Sequence, residues 1–198
     1  MANRIQGLDK KIIASAKKAI LRDGYVGASL RRITKGAGTS TSSIYTRFHN
    51  KEGLFCSIVE PIASEFVERI RKEFGNKENT EIWDDSFQQN FWMRQMDFIY
   101  CHRDEFCLLL ISSTHTKYRS YLNTLATLAG QLTYSCNSEK LERKRIDMEF
   151  VFFIYISLFT GIFEIVLHHL KREDAAWYIT KLCHYFGAGW QSILYINS

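Results

Sequence analysis

Proline occurs once, at Pro61, in 198 residues. Proline breaks helices by removing an N–H donor and crowding the preceding turn. Its scarcity therefore permits long uninterrupted helices. Few segments alternate apolar and polar residues over a strand length, and no Asn-Gly pair offers a tight hairpin turn. The chain is expected to be all-α.

Other absences bear on function. No GxSxG elbow, glycine-rich phosphate loop or HExxH pair occurs, so no catalytic residue is nominated and an enzyme is not expected. The five cysteines, Cys56, Cys101, Cys107, Cys136 and Cys183, are odd in number and contain no CxxC. Cys101, His102 and Cys107, or His168, His169, Cys183 and His184, match no zinc spacing. The adjacent His168 and His169 point about 100° apart on a helix. No metal or cofactor is expected. No leader-like segment opens the chain, which reads as a reduced, cytoplasmic protein.

The charge present is unevenly placed. Residues 1–60 hold 11 Lys/Arg against 4 Asp/Glu, and residues 61–198 hold 15 against 17. A basic head on a slightly acidic body suits a polyanionic partner, though a merely solvated basic surface has the same composition.

Helix signals crowd that head. Asp9 can cap a first helix whose buried stripe is Ile12, Ile13, Ala16, Ala19 and Ile20, with Gly24 as its terminator. Ser29 can cap a second helix carrying Leu30, Ile33 and Ala37. Ser40 can cap a third over residues 41–48, and Asn50 a fourth from Lys51. Short helices joined by a glycine-containing turn form the helix-turn-helix pattern.

The third helix has the chemistry of a recognition helix. A helix in the major groove, about 12 Å wide, needs short side chains for close approach. Thr41, Ser42 and Ser43 supply them. Ile44 and Phe48, four apart, can anchor the opposite face, and Tyr45 and Arg47 suit phosphate or base contacts. The N–H groups opening the fourth helix, with Lys51, suit phosphate. A helical hairpin with a polar elbow would carry the same residues.

"IIASAKKAILRDGYVGASLRRITKGAGTSTSSIYTRFHNKEGLF" resembles the N-terminal domain of TetR-type repressors. Gly24-Tyr25, Ser29-Leu30-Arg31, Ile33, Ala37-Gly38, Ile44-Tyr45, Phe48, Lys51-Glu52 and Leu54-Phe55 follow the family's order. "DFIYCHRDEFCLLL" resembles a helix-break-helix join in the family's second domain. The resemblance implies that Ser29, Ser40, Thr41, Ser42, Tyr45, Thr46, Arg47 and Lys51 meet DNA. Ser42 and Thr46 would lie nearer the bases, Tyr45 and Lys51 on phosphates. Arg32 stands where the family favours an acidic residue, and Thr34 where alanine is common. Thr39 and Thr41 replace valine and a lysine-like residue. These departures bear on the operator, not on the fold.

Beyond residue 60 the helices lengthen. Pro61, some ten residues into the fourth, is expected to kink it. Further helices are expected over 86–102, 106–111, 118–134, 145–171 and 174–195, with polar links at 75–81 and 135–144. The apolar run 150–163 is shorter than the roughly 20 residues that cross hydrocarbon, and Glu164 interrupts it. It reads as a buried helix rather than a membrane span. Phe152, Ile156, Phe159 and Phe163 form its bulky face. Ser157, Gly161 and Glu164 form a small polar face, and Gly187 and Ala188 make a second small patch. Two such helices from each of two chains would form a four-helix dimer bundle, which the resemblance also implies. The same small residues could instead pack within one subunit. If buried, Glu164 would need a partner.

The middle helices are aromatic, which suits a plain core. The resemblance favours a ligand pocket, lined by Trp92, Met96, Tyr121, Phe152 and Tyr155. The expected division is a helix-turn-helix domain over 1–55 and a larger effector-binding and dimerisation domain over 56–198. The expected function is a repressor. It would bind a palindromic double-stranded operator as a homodimer and be released by a small lipophilic effector. A helical DNA-binding or protein-interaction protein without a ligand switch is the alternative.

Overall fold

The computed structural model describes residues 2–75 and 85–195. Among these residues every regular element is a helix: α1 (Ala2–Gly27), α2 (Leu30–Ala37), α3 (Thr41–Phe48), α4 (Lys51–Gly75), α5 (Asp85–Cys101), α6 (Arg103–Ile111), α7 (Tyr121–Arg143), α8 (Met148–Leu167) and α9 (Arg172–Tyr195). The all-α expectation is met.

The helix boundaries follow local chemistry. Gly24 adopts φ 71°, marking a kink near the end of α1, and Gly38 sits in the left-handed region after α2. There a side chain would be strained. Ser29 and Ser40 occupy extended N-cap positions, but neither side chain bonds the helix it precedes. Asn50 does: its Oδ1 accepts from the Gly53 N–H at 2.7 Å. Asp147 Oδ1 accepts from Phe150 N at 2.8 Å at the start of α8.

Several expected boundaries move, among them both ends of α8, expected over 145–171. The first helix begins at Ala2, so Asp9 lies inside α1 and is no cap. The link expected over 135–144 is largely helical, because α7 continues to Arg143. A single non-helical residue, Asn137, interrupts it. Its amide donates to the Thr133 carbonyl at 2.9 Å, and Leu141 is buried beyond it. Apolar anchoring on the far side thus outweighs the weak helix preference of Ser and Asn. The start expected at 118 moves to Tyr121. Of the link expected at 75–81, residues 76–81 lie outside the described residues. α4 remains helical through Pro61.

The chain divides into two compact units, residues 1–65 with 104–120 and residues 66–103 with 121–198. The first has a small core of Ile12, Ala16, Ile20, Ile33, Ile44, Leu54 and Phe55, all buried. Here α1 packs on α2, and α2 on α3. Lys17 donates to Glu105 at 2.8 Å and lies 3.2 Å from Asp104, tying the start of α6 to α1. Lys117 bonds Glu52 through its N–H and Glu60 through its ammonium.

In the second unit α7 packs on α8, α5 on α9, and α8 on α9. Its centre is aromatic: Phe66, Phe74, Phe91, Trp92, Phe159 and Phe163 are all fully or almost fully buried. By length and composition α8 could cross a membrane, but here it lies between α7 and α9. Its buried face runs through Val151, Tyr155, Phe159, Ile162, Phe163 and Val166. Phe152 and Ile156, expected on that face, are only half-buried.

Candidate functional site

α3 divides into two faces. Ile44 is fully buried, and Phe48 is half-buried four residues on. Opposite them Ser42, Tyr45 and Thr46 are exposed, as are Ser29 and Ser40 at the two N-caps. Thr41 is half-buried. Small side chains thus stand on the outer surface of a short helix whose inner surface is fixed by one isoleucine. Thr46 donates to the Ser42 carbonyl at 3.0 Å. This satisfies its hydroxyl locally and leaves its methyl outward. Thr39 and Ser43 share a hydrogen bond of 2.8 Å across the turn, which stiffens the approach to α3.

The two cationic residues among the eight expected contacts are engaged within the head. Arg47 donates to Asp9 at 2.7 Å, and both side chains are largely covered. Lys51 donates to the Val26 carbonyl at 3.1 Å and sits 4.9 Å from the Tyr25 ring centroid. Burial lowers its pKa. Nor is every amide opening α4 free, since Gly53 is held by Asn50.

Sequence reasoning passed over Arg31 and Lys35. Both are exposed on α2, four residues apart and so on one helix face. That spacing was the signal. Arg32 pairs instead with Asp23 at 2.7 Å, an ionic tie between α1 and α2. Thr34, where alanine is common, is buried and donates to the Arg31 carbonyl at 3.1 Å.

Residues 12–58 match the family model described as bacterial regulatory proteins, tetR family. Over this head domain the chain is similar to the tetR family. The family is one of DNA-binding regulators, not enzymes. A stretch of 67 residues is 31% identical to the fatty acid metabolism regulator protein of Bacillus subtilis (strain 168), spanning 34% of this chain and 34% of that relative. Two solved structures share the fold over nearly the whole chain. The regulator FadR of Bacillus subtilis, in complex with stearoyl-CoA, has TM-score 0.60 at 15% identity and covers 95% of this chain and 99% of its own. A TetR-like regulator from Rhodococcus sp. RHA1 has TM-score 0.63 at 14% identity, covering 92% and 96%.

In the second unit, Trp92, Met96, Tyr121 and Tyr155 are buried and Phe152 is half-buried. Trp92 packs edge-on to Phe91 and Phe159, with centroids at 5.1 and 5.4 Å. Tyr155 shares a 2.7 Å hydrogen bond with Thr133. Burial raises its pKa well above the ordinary phenol range.

The five residues expected at a dimer face separate. Ser157, Glu164 and Ala188 are exposed, but Gly187 is buried within the subunit. Gly161 faces Leu182 of α9, where an added Cβ would stand 3.2 Å from Leu182 Cδ1. Glu164 is not buried, and its charge lies 3.8 Å from His168. Beside Ser157 and Ala188 runs a groove of about 640 Å³ lined also by Ile154, Tyr185, Gly189 and Ile193.

Proposed function

We propose that this chain is a ligand-responsive transcriptional repressor of the tetR family. It binds a palindromic operator as a homodimer and leaves it when a small lipophilic molecule of the fatty acyl class enters the second domain. The observation that carries the reading is α3 itself, with Ser42, Tyr45 and Thr46 outward over a buried Ile44. A surface of small hydroxyl side chains on a basic head suits the major groove. Ser42 and Thr46 take the bases. Ser29, Ser40, Thr41, Tyr45, Arg47 and Lys51 position the backbone. Functionally the chain divides at residues 1–55 and 56–198 and acts in the cytoplasm.

Pairing follows from the exposed α8–α9 face. Phe153, Tyr185 and Ile193 are exposed there beside the groove, and covering apolar surface is favourable. Ser157, Gly161, Glu164, Gly187 and Ala188 belong to the helices of this interface, with Ser157 and Ala188 touching the partner. Two heads about 34–36 Å apart, or a multiple of it, reach successive turns of the operator. The acyl class is supported by the similarity to a Bacillus subtilis fatty acid metabolism regulator and to FadR of that organism in complex with stearoyl-CoA, and by the aromatic interior containing Trp92, Met96, Tyr121, Phe152 and Tyr155.

The test is a gel shift of the full-length protein on its own upstream DNA, with and without stearoyl-CoA. A sharp, competitor-resistant complex that stearoyl-CoA dissolves supports the proposal. A second reading is DNA binding without a switch. The closed packing around Trp92 and Tyr155 favours it. Under that reading the complex persists through a broad panel of lipophilic compounds.

A further inference from the structure

Trp92 is fully buried, yet its indole N–H has no hydrogen-bond partner. The indole can only donate. Burial has therefore removed its water without supplying an acceptor, a net cost to the fold. Phe91 and Phe159 meet it edge-on, both at 77°, which offers at most a ring face, a second-order partner. Phenylalanine would fill an aromatic core without this cost. Beyond a larger ring, what tryptophan adds at position 92 is the N–H.

A second buried atom, Asn137 Oδ1, also has no partner. An amide can exchange its oxygen and nitrogen by flipping, so that atom decides nothing. The indole has one polar atom and no alternative placement for it.

The second unit also buries polar side chains, so its interior is not hydrocarbon alone. Gln88, Trp92 and Gln95 occur at intervals of four and three along α5, and all three are buried. That spacing aligns them on one helix face. Tyr155 and Thr133 add a hydroxyl pair in which either can donate. A few polar groups in a predominantly aromatic interior is the usual make-up of a site that orients a small molecule.

We propose that the effector presents a carbonyl oxygen inside the second unit and that Trp92 Nε1 donates a hydrogen bond to it. The site then reads an acyl compound by its carbonyl as well as by its chain. This rests on the acyl-effector reading above and adds to it the atom recognised and the residue that recognises it.

The experiment uses the full-length protein labelled with ¹⁵N-tryptophan. Four tryptophans give four indole cross-peaks, and Trp92→Phe assigns the one in question. Stearoyl-CoA is compared with S-octadecyl-CoA, a thioether of the same chain that lacks the carbonyl. The Trp92 N–H resonance moves downfield with stearoyl-CoA but not with the thioether. Wild type prefers stearoyl-CoA by about tenfold, the worth of one hydrogen bond, and Trp92→Phe abolishes the preference. If Trp92→Phe fails to fold, the resonance is assigned with Trp92→Tyr, and the two ligands' effects on the wild-type peak decide. Equal affinities in wild type, or the same Trp92 shift with both ligands, overturn the proposal while leaving an acyl effector in place. If neither compound binds, the acyl reading fails and this inference falls with it.

Discussion

Arg47 and Asp9 are joined by a 2.7 Å hydrogen-bonded ion pair that ties the last turn of α3 to α1. The pair fixes the recognition helix by an ionic contact in addition to the Ile44 anchor. It also holds the Arg47 guanidinium away from solvent and places a carboxylate beside a surface proposed to meet phosphates. Asp9→Asn should release the arginine and remove a repelling charge. Partly exposed pairs are worth about 0–1 kcal/mol, so the melting temperature should hardly move. Affinity for operator DNA should rise at low salt. Each added phosphate contact steepens the salt dependence by about 0.9 in log–log slope. Fluorescence anisotropy between 50 and 200 mM salt measures both. An unchanged slope would mean that Arg47 reaches no phosphate even when freed.

The head was legible in the sequence because its signals are local. Ser29, Ser40 and Asn50 each mark a real helix start, and Gly38 the left-handed stop after α2. Ile44 is buried as its spacing from Phe48 required. The ion pairs were not legible, since Asp9 and Arg47 are far apart in sequence and each has an ordinary local role. Asp9 in particular has the chemistry of a cap but lies within a longer helix. In the second unit the nearly all-apolar α8 offered no contrast between faces. Its buried side, through Val151 and Tyr155, could not be separated from the Phe152 side by spacing. Gly161 shows the same limit: a small residue permits close approach without saying whether the neighbour is Leu182 or another chain.

Gly53 has no room for a side chain. A Cβ there would stand 2.0 Å from the Phe48 carbonyl oxygen, at the turn that positions α3 on α4. Gly53→Ala must push the turn open, and overpacking of this kind costs about 1–3 kcal/mol. Thermal melting should show the loss, and operator affinity should fall with it. Gly7→Ala is the control, because nothing lies within 4 Å of its added Cβ. Equal melting temperatures for the two variants would refute the steric account.

Asp23 carries an acid-sensitive part of the head. Its hydrogen bond from Arg22, aided by the charges of Arg22 and Arg32, lowers its pKa to about 2. An unfolded aspartate titrates near 3.9. A depressed folded value means the stabilisation is fully present above about pH 4 and is lost as pH falls through about 2. The carboxyl ¹³C resonance of Asp23 should titrate near 2 in wild type and move upward in Arg22→Ala. An ordinary midpoint in wild type would show that the arginines do not hold it.

Ala188 and Gly161 separate pairing from folding. Ala188 is exposed on α9 and lines the groove beside Ser157, while Gly161 faces Leu182 within the same chain. Ala188→Arg adds a long charged side chain where the subunit leaves space, and arginine is nearly as good a helix former as alanine. The variant should fold with an unchanged melting temperature of the monomeric subunit. In sedimentation-velocity runs it should lose the proposed dimer, and operator affinity should fall with the loss of paired half-site contacts. Gly161→Val should do the reverse. Its Cβ would begin 3.2 Å from Leu182 Cδ1, so it should lower subunit stability by about 1–3 kcal/mol without abolishing pairing among the molecules that fold. A dimeric Ala188→Arg protein would place the pairing surface elsewhere than this face of α9.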